Sequence, residues 1–321
     1  MNKLIAILVP ALASVLAAGV PAHSAEGPPA WAYPVNPPDF KPTPDDGAIR
    51  RVAGSTATYT LPQLRDRFIA PDWHPAEYPP MPEVVARGRK PDVFACGFCH
   101  RADGPGGPEN SSLAGLPAAY IVQQMGDYKS GARKTSVPKR NTDLMISLAK
   151  AATDTEVEAA AAYFSSLKPK STIRVVETDT VPKTYVAGWF LAAVKSGEKE
   201  PLGQRIIEVP EDLEQFEHRD THAQFIAYVP VGSIAKGEVL VKSGGPGKTI
   251  QCAICHGPDL KGLGAVPRIA GRSPSYNVRQ LYDIQSGARA GVGSALMKEV
   301  VARLGEDDMV SIAAYLASQA P

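Results

Sequence analysis

The chain lacks a surplus of charge of either sign. Lysine and arginine number 34 and aspartate and glutamate 33 among 321 residues, giving a net charge of +1. That balance excludes both the basic footprint of a nucleic-acid binder and an acidic tail. Beyond one N-terminal stretch there is no run approaching the ~20 apolar residues that a membrane-spanning helix needs. Cysteine is also sparse, at four residues. Abundant instead are proline, at 30, and glycine, at 28, which predict much irregular backbone, and 44% of the residues are hydrophobic. A chain of this length and composition builds one large domain or two.

The exceptional apolar run lies at the start. Met1-Asn2-Lys3 precedes an apolar stretch from Leu4 to Val20, and small residues follow from Pro21 to Ala25. Residues 1–25 thus have the layout of a secretory signal peptide, with cleavage after Ala22, Ser24 or Ala25. The mature chain is expected to be exported to the periplasm. Membrane association would then arise only through a partner or an uncleaved signal.

Four cysteines in an exported protein would ordinarily form two disulfides. Their spacing points elsewhere. They stand as Cys96-Gly97-Phe98-Cys99-His100 and Cys252-Ala253-Ile254-Cys255-His256. A C-x-x-C followed at once by histidine is the signature of covalent c-type haem attachment. The two thiols add across the porphyrin vinyl groups, and the adjacent imidazole is held beneath the iron. A zinc ribbon would place its second pair about 15 to 20 residues on, whereas 153 positions separate Cys99 from Cys252. A thioredoxin-like motif would explain neither the second copy nor the histidines. The sequence therefore predicts two covalently bound haem c groups, on Cys96 and Cys99 and on Cys252 and Cys255, with His100 and His256 as iron ligands.

An internal repeat identifies candidates for the remaining ligands. At an offset of 156, Ala114-Gly115 matches Ala270-Gly271, Tyr120 matches Tyr276, Gln124 matches Gln280 and Asp127 matches Asp283. Ser130-Gly131-Ala132-Arg133 then matches Ser286-Gly287-Ala288-Arg289. Further on the offset is 152, so that Leu144-Met145 falls on Leu296-Met297 and Ala161-Ala162-Tyr163 on Ala313-Ala314-Tyr315. Of the six methionines only this position is shared by both halves. Met145 and Met297 are therefore the candidate sixth ligands, carried on loops, while Met125 and Met309 read as helix core.

Helix signals frame these motifs. Pro274 after Ser273 opens a helix closed by Gly287, and residues Pro117 to Lys129, closed by Gly131, form its twin. Thr153 and Glu156 make a capping box for a last helix burying Val157, Ala160, Ala161, Phe164 and Leu167. Met309, Ile312, Ala313 and Leu316 repeat that stripe.

The succession of CxxCH, LAG..AY or IAGRSPSY, SGAR, Leu-Met and an AAY-bearing last helix is similar to class I cytochrome c domains. Two in tandem resemble the periplasmic dihaem cytochrome c-four group. The resemblance implies a mainly α fold of two such domains, at residues 84–169 and 232–321. It also implies the axial pairs His100 with Met145 and His256 with Met297.

Several features depart from that group. Residues 26–83 hold 13 of the 30 prolines and read as an extended arm. An insert at residues 170–231 separates the domains, and its runs Arg205–Val209 and Phe225–Val229, each ended by proline, read as short strands. Trp73, Trp189 and Tyr185 are expected to pack within arm and insert. In class I domains a proline carbonyl usually supports the proximal histidine; Pro267 fits, but its counterpart is Ser111, which predicts differently tuned haems. Arg133 and Arg289 are expected either to grip haem propionates or to satisfy a helix end. His74, His218 and His222 read as solvated or core histidines, or else as replacement ligands or acid/base groups near an open iron.

The expected activity is that of an electron carrier without catalytic residues. Its partners would be a redox donor and acceptor, such as a respiratory oxidase, a cytochrome complex or a dehydrogenase, and not nucleic acid. Two alternatives stay open. One is a dihaem oxidoreductase of the thiosulfate dehydrogenase or peroxidase type, with one open haem. The other is an electron-transfer subunit of a larger dehydrogenase or oxidase complex.

Overall fold

The computed structural model describes residues 27–138 and 140–321, so the leader read at residues 1–25 lies outside the described residues. The proline-rich N-terminal stretch contains few regular elements. These are a 3-10 turn at Ala30–Ala32, strands β1 (Ile49–Arg50) and β2 (Tyr59–Thr60), which pair antiparallel, and helix α1 (Leu61–Arg65). Thr60 and Gln63 form a capping box at the start of α1, satisfying N–H groups that a helix start leaves free. The stretch is more than an extended arm, because aromatic side chains anchor it. Tyr33 is buried and its hydroxyl donates to Asp283 Oδ1 at 2.8 Å, far along the chain. Trp73, 1% exposed, donates from Nε1 to the carbonyl of His218 at 2.8 Å.

The first helical unit comprises α2 (Glu83–Ala86), α3 (Cys96–His100), α4 (Ala118–Ser130), α5 (Arg140–Ala151) and α6 (Asp154–Ser166). Gly131 ends α4 in the left-handed region, with φ of 80°, where glycine carries no Cβ penalty. The capping box of Thr153 and Glu156 opens α6, which buries Ala160, Ala161 and Phe164, with Leu167 at its C-cap. Val157 is only half-buried. The reading of Met145 as a loop residue is corrected, since it lies within α5. That segment has no interior glycine or proline, and Asp143 in its first turn and Lys150 in its last complement the helix dipole.

The insert is the β-containing part. Strands β3 (Ile173–Glu177), β4 (Thr180–Pro182), β5 (Thr184–Ala187), β6 (Phe190–Ala193), β7 (Lys199–Pro201) and β8 (Ile207–Pro210) precede helix α7 (Leu213–Glu217) and strand β9 (Phe225–Val229). β9 is central in a three-stranded sheet, parallel to β3 and antiparallel to β8. The run expected at Arg205–Val209 is realised two residues later, as β8, all four residues of which are buried. β4 pairs with β7, and β5 with β6. Tyr185 does not pack as expected: it is 44% exposed.

The second unit contains α8 (Ser233–Ser243), α9 (Ala253–His256), α10 (Pro274–Gln285), α11 (Ala295–Val301) and α12 (Glu306–Ser318). Ser273 caps α10 through its hydroxyl, and Gly287 follows with φ of 80°. Met297 also lies on a helix, α11, which corrects the loop assignment a second time. Met309, Ile312, Ala313 and Leu316 are buried on α12. This core takes in Ala32 and Tyr33 from the arm and Ile206 and Val229 from the insert. Among the described residues no helix is long and apolar enough to cross a membrane.

Helices α8 and α12 approach closely at Gly237, where a Cβ would lie 1.9 Å from the carbonyl oxygen of Ser311. Gly237→Ala is therefore expected to force the helices apart and cost about 3 kcal/mol in chemical denaturation; an unchanged midpoint would contradict the close contact. Asp308, near the start of α12, contacts Lys236 at 3.0 Å and Lys248 at 3.1 Å. Burial raises its carboxyl, but the Gly305 N–H and the two ammonium groups outweigh burial and hold it below the usual range. The stabilisation is thus present above the unfolded carboxylate range and is lost as pH falls through the folded value. Asp308→Asn should cost about 2 kcal/mol at neutral pH, and the gap from the parent should close in acid denaturation series.

Candidate functional site

Helix α3 brings Cys96, Cys99 and His100 onto little more than one turn. Burial pushes the Cys96 thiol up to about 12 and the His100 imidazole down to about 4, so both groups are neutral. The Nδ1 of His100 lies 2.8 Å from the carbonyl oxygen of Ser111. A carbonyl only accepts, so Nδ1 carries the proton and Nε2 keeps its lone pair for a metal. The second motif repeats this geometry on α9, where His256 Nδ1 donates to the carbonyl of Pro267, also at 2.8 Å. The expected difference between Ser111 and Pro267 does not extend to this bond, because the acceptor is backbone in both.

A cavity that opens to solvent lies against the first motif. Its walls include Cys96, Cys99, His100, Ile121, Met145 and Phe164. Met125, read as helix core, also lines it and is half-buried. Two neutral thiols, an imidazole with a free Nε2 and thioethers in a largely apolar cavity form a donor set that fits a covalently held haem. None of His74, His218 and His222 lines this cavity.

The second motif is more open. Cys255 and Ile254 are exposed, and so are Leu263, Val292 and Leu296 in the segments that follow. His256 itself is buried, and burial lowers its imidazole as at the first site. Met297 is half-buried against the second core.

The SGAR repeats meet each other. Arg133 and Arg289 form an antiparallel bridge, flanked by Lys134 N–H to the carbonyl of Ala288 and Ala290 N–H to that of Ala132, each 2.8 Å. From Arg133, Nη1 donates to Gln124 Oε1 at 2.8 Å, and Nη2 to the Tyr276 hydroxyl and Gln280 Oε1 at 3.0 Å each. Arg289 mirrors this, with Nη1 on Gln280 Oε1 at 3.1 Å and Nη2 on the Tyr120 hydroxyl and Gln124 Oε1 at 3.0 Å each. All six residues are repeat mates, so the contact is locally two-fold. The guanidiniums bind glutamine and tyrosine, partners the sequence reading did not name, and Arg133 also lines the first cavity. Burial acts to raise the Tyr276 phenol, but Arg133, Arg272 and Arg289 together hold it below its ordinary value.

Further arginines tie the parts together, and sequence reasoning missed them because their partners are distant in the chain. Arg272 donates from Nη2 to the Ser111 hydroxyl at 2.7 Å, so the second unit steadies the residue that orients His100. From the insert, Arg219 donates from Nη1 to the Phe98 carbonyl at 2.8 Å, and its guanidinium lies 3.6 Å from the centroid of the Phe98 ring. Such stacking on a desolvated ring is favourable. The nearest sequence signal was the CxxCH motif itself, whose α3 the insert clamps.

The cytochrome c family model matches residues 85–168. Cytochrome c-554(548) of Halomonas halodenitrificans is 36% identical over 76 residues, 23% of this chain and 92% of that protein. The chain belongs to the cytochrome c family. Like its dihaem relatives, this cytochrome carries two covalently bound haem c groups, in a mainly helical two-domain fold. Cytochrome c4 of Azotobacter vinelandii is 27% identical over 228 residues, 69% of this cytochrome and 82% of the relative. The thiosulfate dehydrogenase electron acceptor of Thiomonas intermedia is 28% identical over 234 residues, 71% and 80% of the two chains. Among solved structures, thiosulfate dehydrogenase from Marichromatium purpuratum matches with a TM-score of 0.50 at 27% identity, over 72% of this cytochrome. The match spans only 38% of that longer chain.

Replacing Arg133 by methionine removes a donor from the Tyr276 hydroxyl and leaves two glutamine oxygens between the halves to Arg289 alone. Arg133→Met is expected to lower stability by about 2 kcal/mol. The double replacement with Arg289→Met should separate the guanidinium-induced unfolding of the two halves, and a single unchanged transition would show that the cluster does not join them.

Proposed function

We propose that the protein is a periplasmic carrier of single electrons whose two haems each have one histidine and one methionine ligand. The observation that carries this reading is the meeting of His100 and Met145 in one cavity, with His256 and Met297 as their repeat mates. Cys96 and Cys99 would hold the first haem and Cys252 and Cys255 the second. Residues 84–169 and 232–321 are the two cytochrome units, residues 26–83 the arm and 170–231 the insert. Bound haem supplies one-electron chemistry at iron, and a methionine ligand raises its reduction potential.

The chain supplies rigidity. The Ser111 and Pro267 carbonyls fix each imidazole's tautomer and plane, so the ligand sphere changes little between oxidation states. Helices α5 and α11 carry the methionines on regular backbone, which positions them more firmly than loops would. Leu113, Ile121 and Phe164 give the first site an apolar lining. The exposed apolar side chains around the second motif suit contact with a redox protein, such as an oxidase, a cytochrome complex or a dehydrogenase.

A second reading is an oxidoreductase of the thiosulfate dehydrogenase or peroxidase type, with the first haem open. It is favoured by the matching thiosulfate dehydrogenase structure and by Glu109, Asn141 and Arg279, polar residues on the walls of the first cavity. Carbon monoxide separates the two. The reduced parent protein is expected to show no spectral change with carbon monoxide at neutral pH, and its oxidised form a far-red methionine-to-iron band with the intensity of two haems. Met145→Ala and Met297→Ala should each admit carbon monoxide at one haem. Ready binding by the parent, together with turnover of thiosulfate or peroxide, would replace the carrier reading with the enzyme.

A further inference from the structure

The arm and the insert meet at a cluster that no part of the haem chemistry uses. His74, Glu77 and His222 each offer one donor atom, and the three atoms lie within 4.8 Å of one another. We propose that these residues form a binding site for one divalent transition-metal ion, with Zn²⁺ as its simplest occupant, which staples the arm to the insert.

The support behind the donors resembles that of a built metal site. His74 is buried, and its Nε2 lies 2.9 Å from Asp220 Oδ1. An ionised carboxylate only accepts, so the proton sits on Nε2 and Nδ1 keeps the lone pair. A carboxylate behind a histidine in this way fixes ring and tautomer and raises ligand basicity. Asp220, 2% exposed, is itself held by Gln215 Nε2 at 2.8 Å and by the His222 N–H at 3.0 Å. His222 Nε2 already lies 2.8 Å from Glu77 Oε1, while Glu77 Oε2 is occupied by Lys170 at 2.9 Å. Lys170 also reaches Asp103 at 2.9 Å. Three carboxylates, Glu77, Asp103 and Asp220, against the Lys170 ammonium and the Arg101 guanidinium, which interacts with Asp103 and Asp220, still leave the pocket negative and attractive to a dication.

The donor set narrows the ion. Two imidazoles and one carboxylate suit zinc or copper and disfavour the oxygen-seeking calcium and magnesium. Three protein ligands leave a fourth position for water. Zinc would draw the donors to roughly 3.3 Å apart, the spacing set by ~2.0–2.1 Å bonds in a tetrahedron. One movement is required. The two imidazoles are stacked, 3.8 Å between centroids and 12° between planes, so both lone pairs cannot point at one ion. The His222 side chain is 41% exposed and free to turn, whereas His74 is 5% exposed and held. Loading would exchange the ring stack and the His222–Glu77 bond for shared ligation.

The test uses the haem-loaded protein after dialysis against a chelator, titrated with Zn²⁺ in a calorimeter. One equivalent should bind with a raised thermal transition and no change in the haem spectrum. Glu77→Gln and His222→Ala should each weaken binding at least about tenfold, and Asp220→Asn about tenfold through its hold on His74. Cu²⁺ in place of zinc should give an electron paramagnetic resonance signal split by two imidazole nitrogens. Absence of saturable binding below about 1 mM, or equal binding by the Glu77→Gln and His222→Ala proteins, would overturn the site. Because these substitutions leave the haem ligands untouched, this outcome is independent of the carbon monoxide result.

Discussion

Four buried arginines, Arg133, Arg268, Arg272 and Arg279, and the half-buried Arg289 hold the two halves against each other, and the rest of the structure depends on their being paired. A guanidinium taken from water must have each of its donors matched or the cost is several kcal/mol. Here the donors are matched mostly by groups of the opposite half or the arm. Arg133 and Arg289 exchange glutamine and tyrosine partners, Arg272 and Arg268 reach the Ser111 and Ser112 hydroxyls, and Arg279 reaches the carbonyls of Ala32 and Pro108. A half detached from the other would expose these guanidiniums with most of their partners gone. The positions of the two haem sites relative to each other are therefore fixed by polar pairing, and apolar packing does the work inside each half.

The same pairing explains why the two sites are not equivalent despite a shared repeat. The second motif is held by its own unit and stays open, with Cys255 exposed. The first is gripped from three sides: by Arg272 through Ser111, by Arg219 through Phe98, and by Phe216 under the Arg101 guanidinium at 4.6 Å. Burial disfavours charge, and ferric haem bears more charge than ferrous, so such a setting pushes toward the reduced form. Cations beside it push the same way.

Much of this was legible in the sequence, and what was not had a physical reason. Caps made the long helices readable, since Thr153 with Glu156, Ser273 with Pro274, and the glycines after α4 and α10 are local signals that tertiary contacts did not override. The CxxCH pairs and the repeat marked candidate cofactor sites, because covalent chemistry tolerates no change of spacing. Met145 and Met297 were singled out as candidates by repetition but placed on loops, as short amphipathic helices flanked by glycine and proline resemble loops in one dimension. The arm was underestimated, for composition registers its prolines but not that Tyr33 and Trp73 find partners some 250 and 145 positions away. The part Ser111 plays behind His100 was not readable, because its contribution is a carbonyl, which every residue has. The arginine network was invisible for the same reason as the arm's anchors: a donor's partner across a fold leaves no local pattern.

The seat of Tyr33 has a consequence for how the molecule comes into being. Its hydroxyl bonds to Asp283 within a core completed by α12, the last helix of the chain. A polypeptide delivered N-terminus first must therefore keep its leading segment waiting until almost all of the rest has emerged. The arm's proline-rich composition suits that interval, since a chain with few backbone donors and stiff φ angles offers little edge for mispairing. The arm is among the last segments to be fastened, because the core that seats Tyr33 is supplied by residues far along the chain.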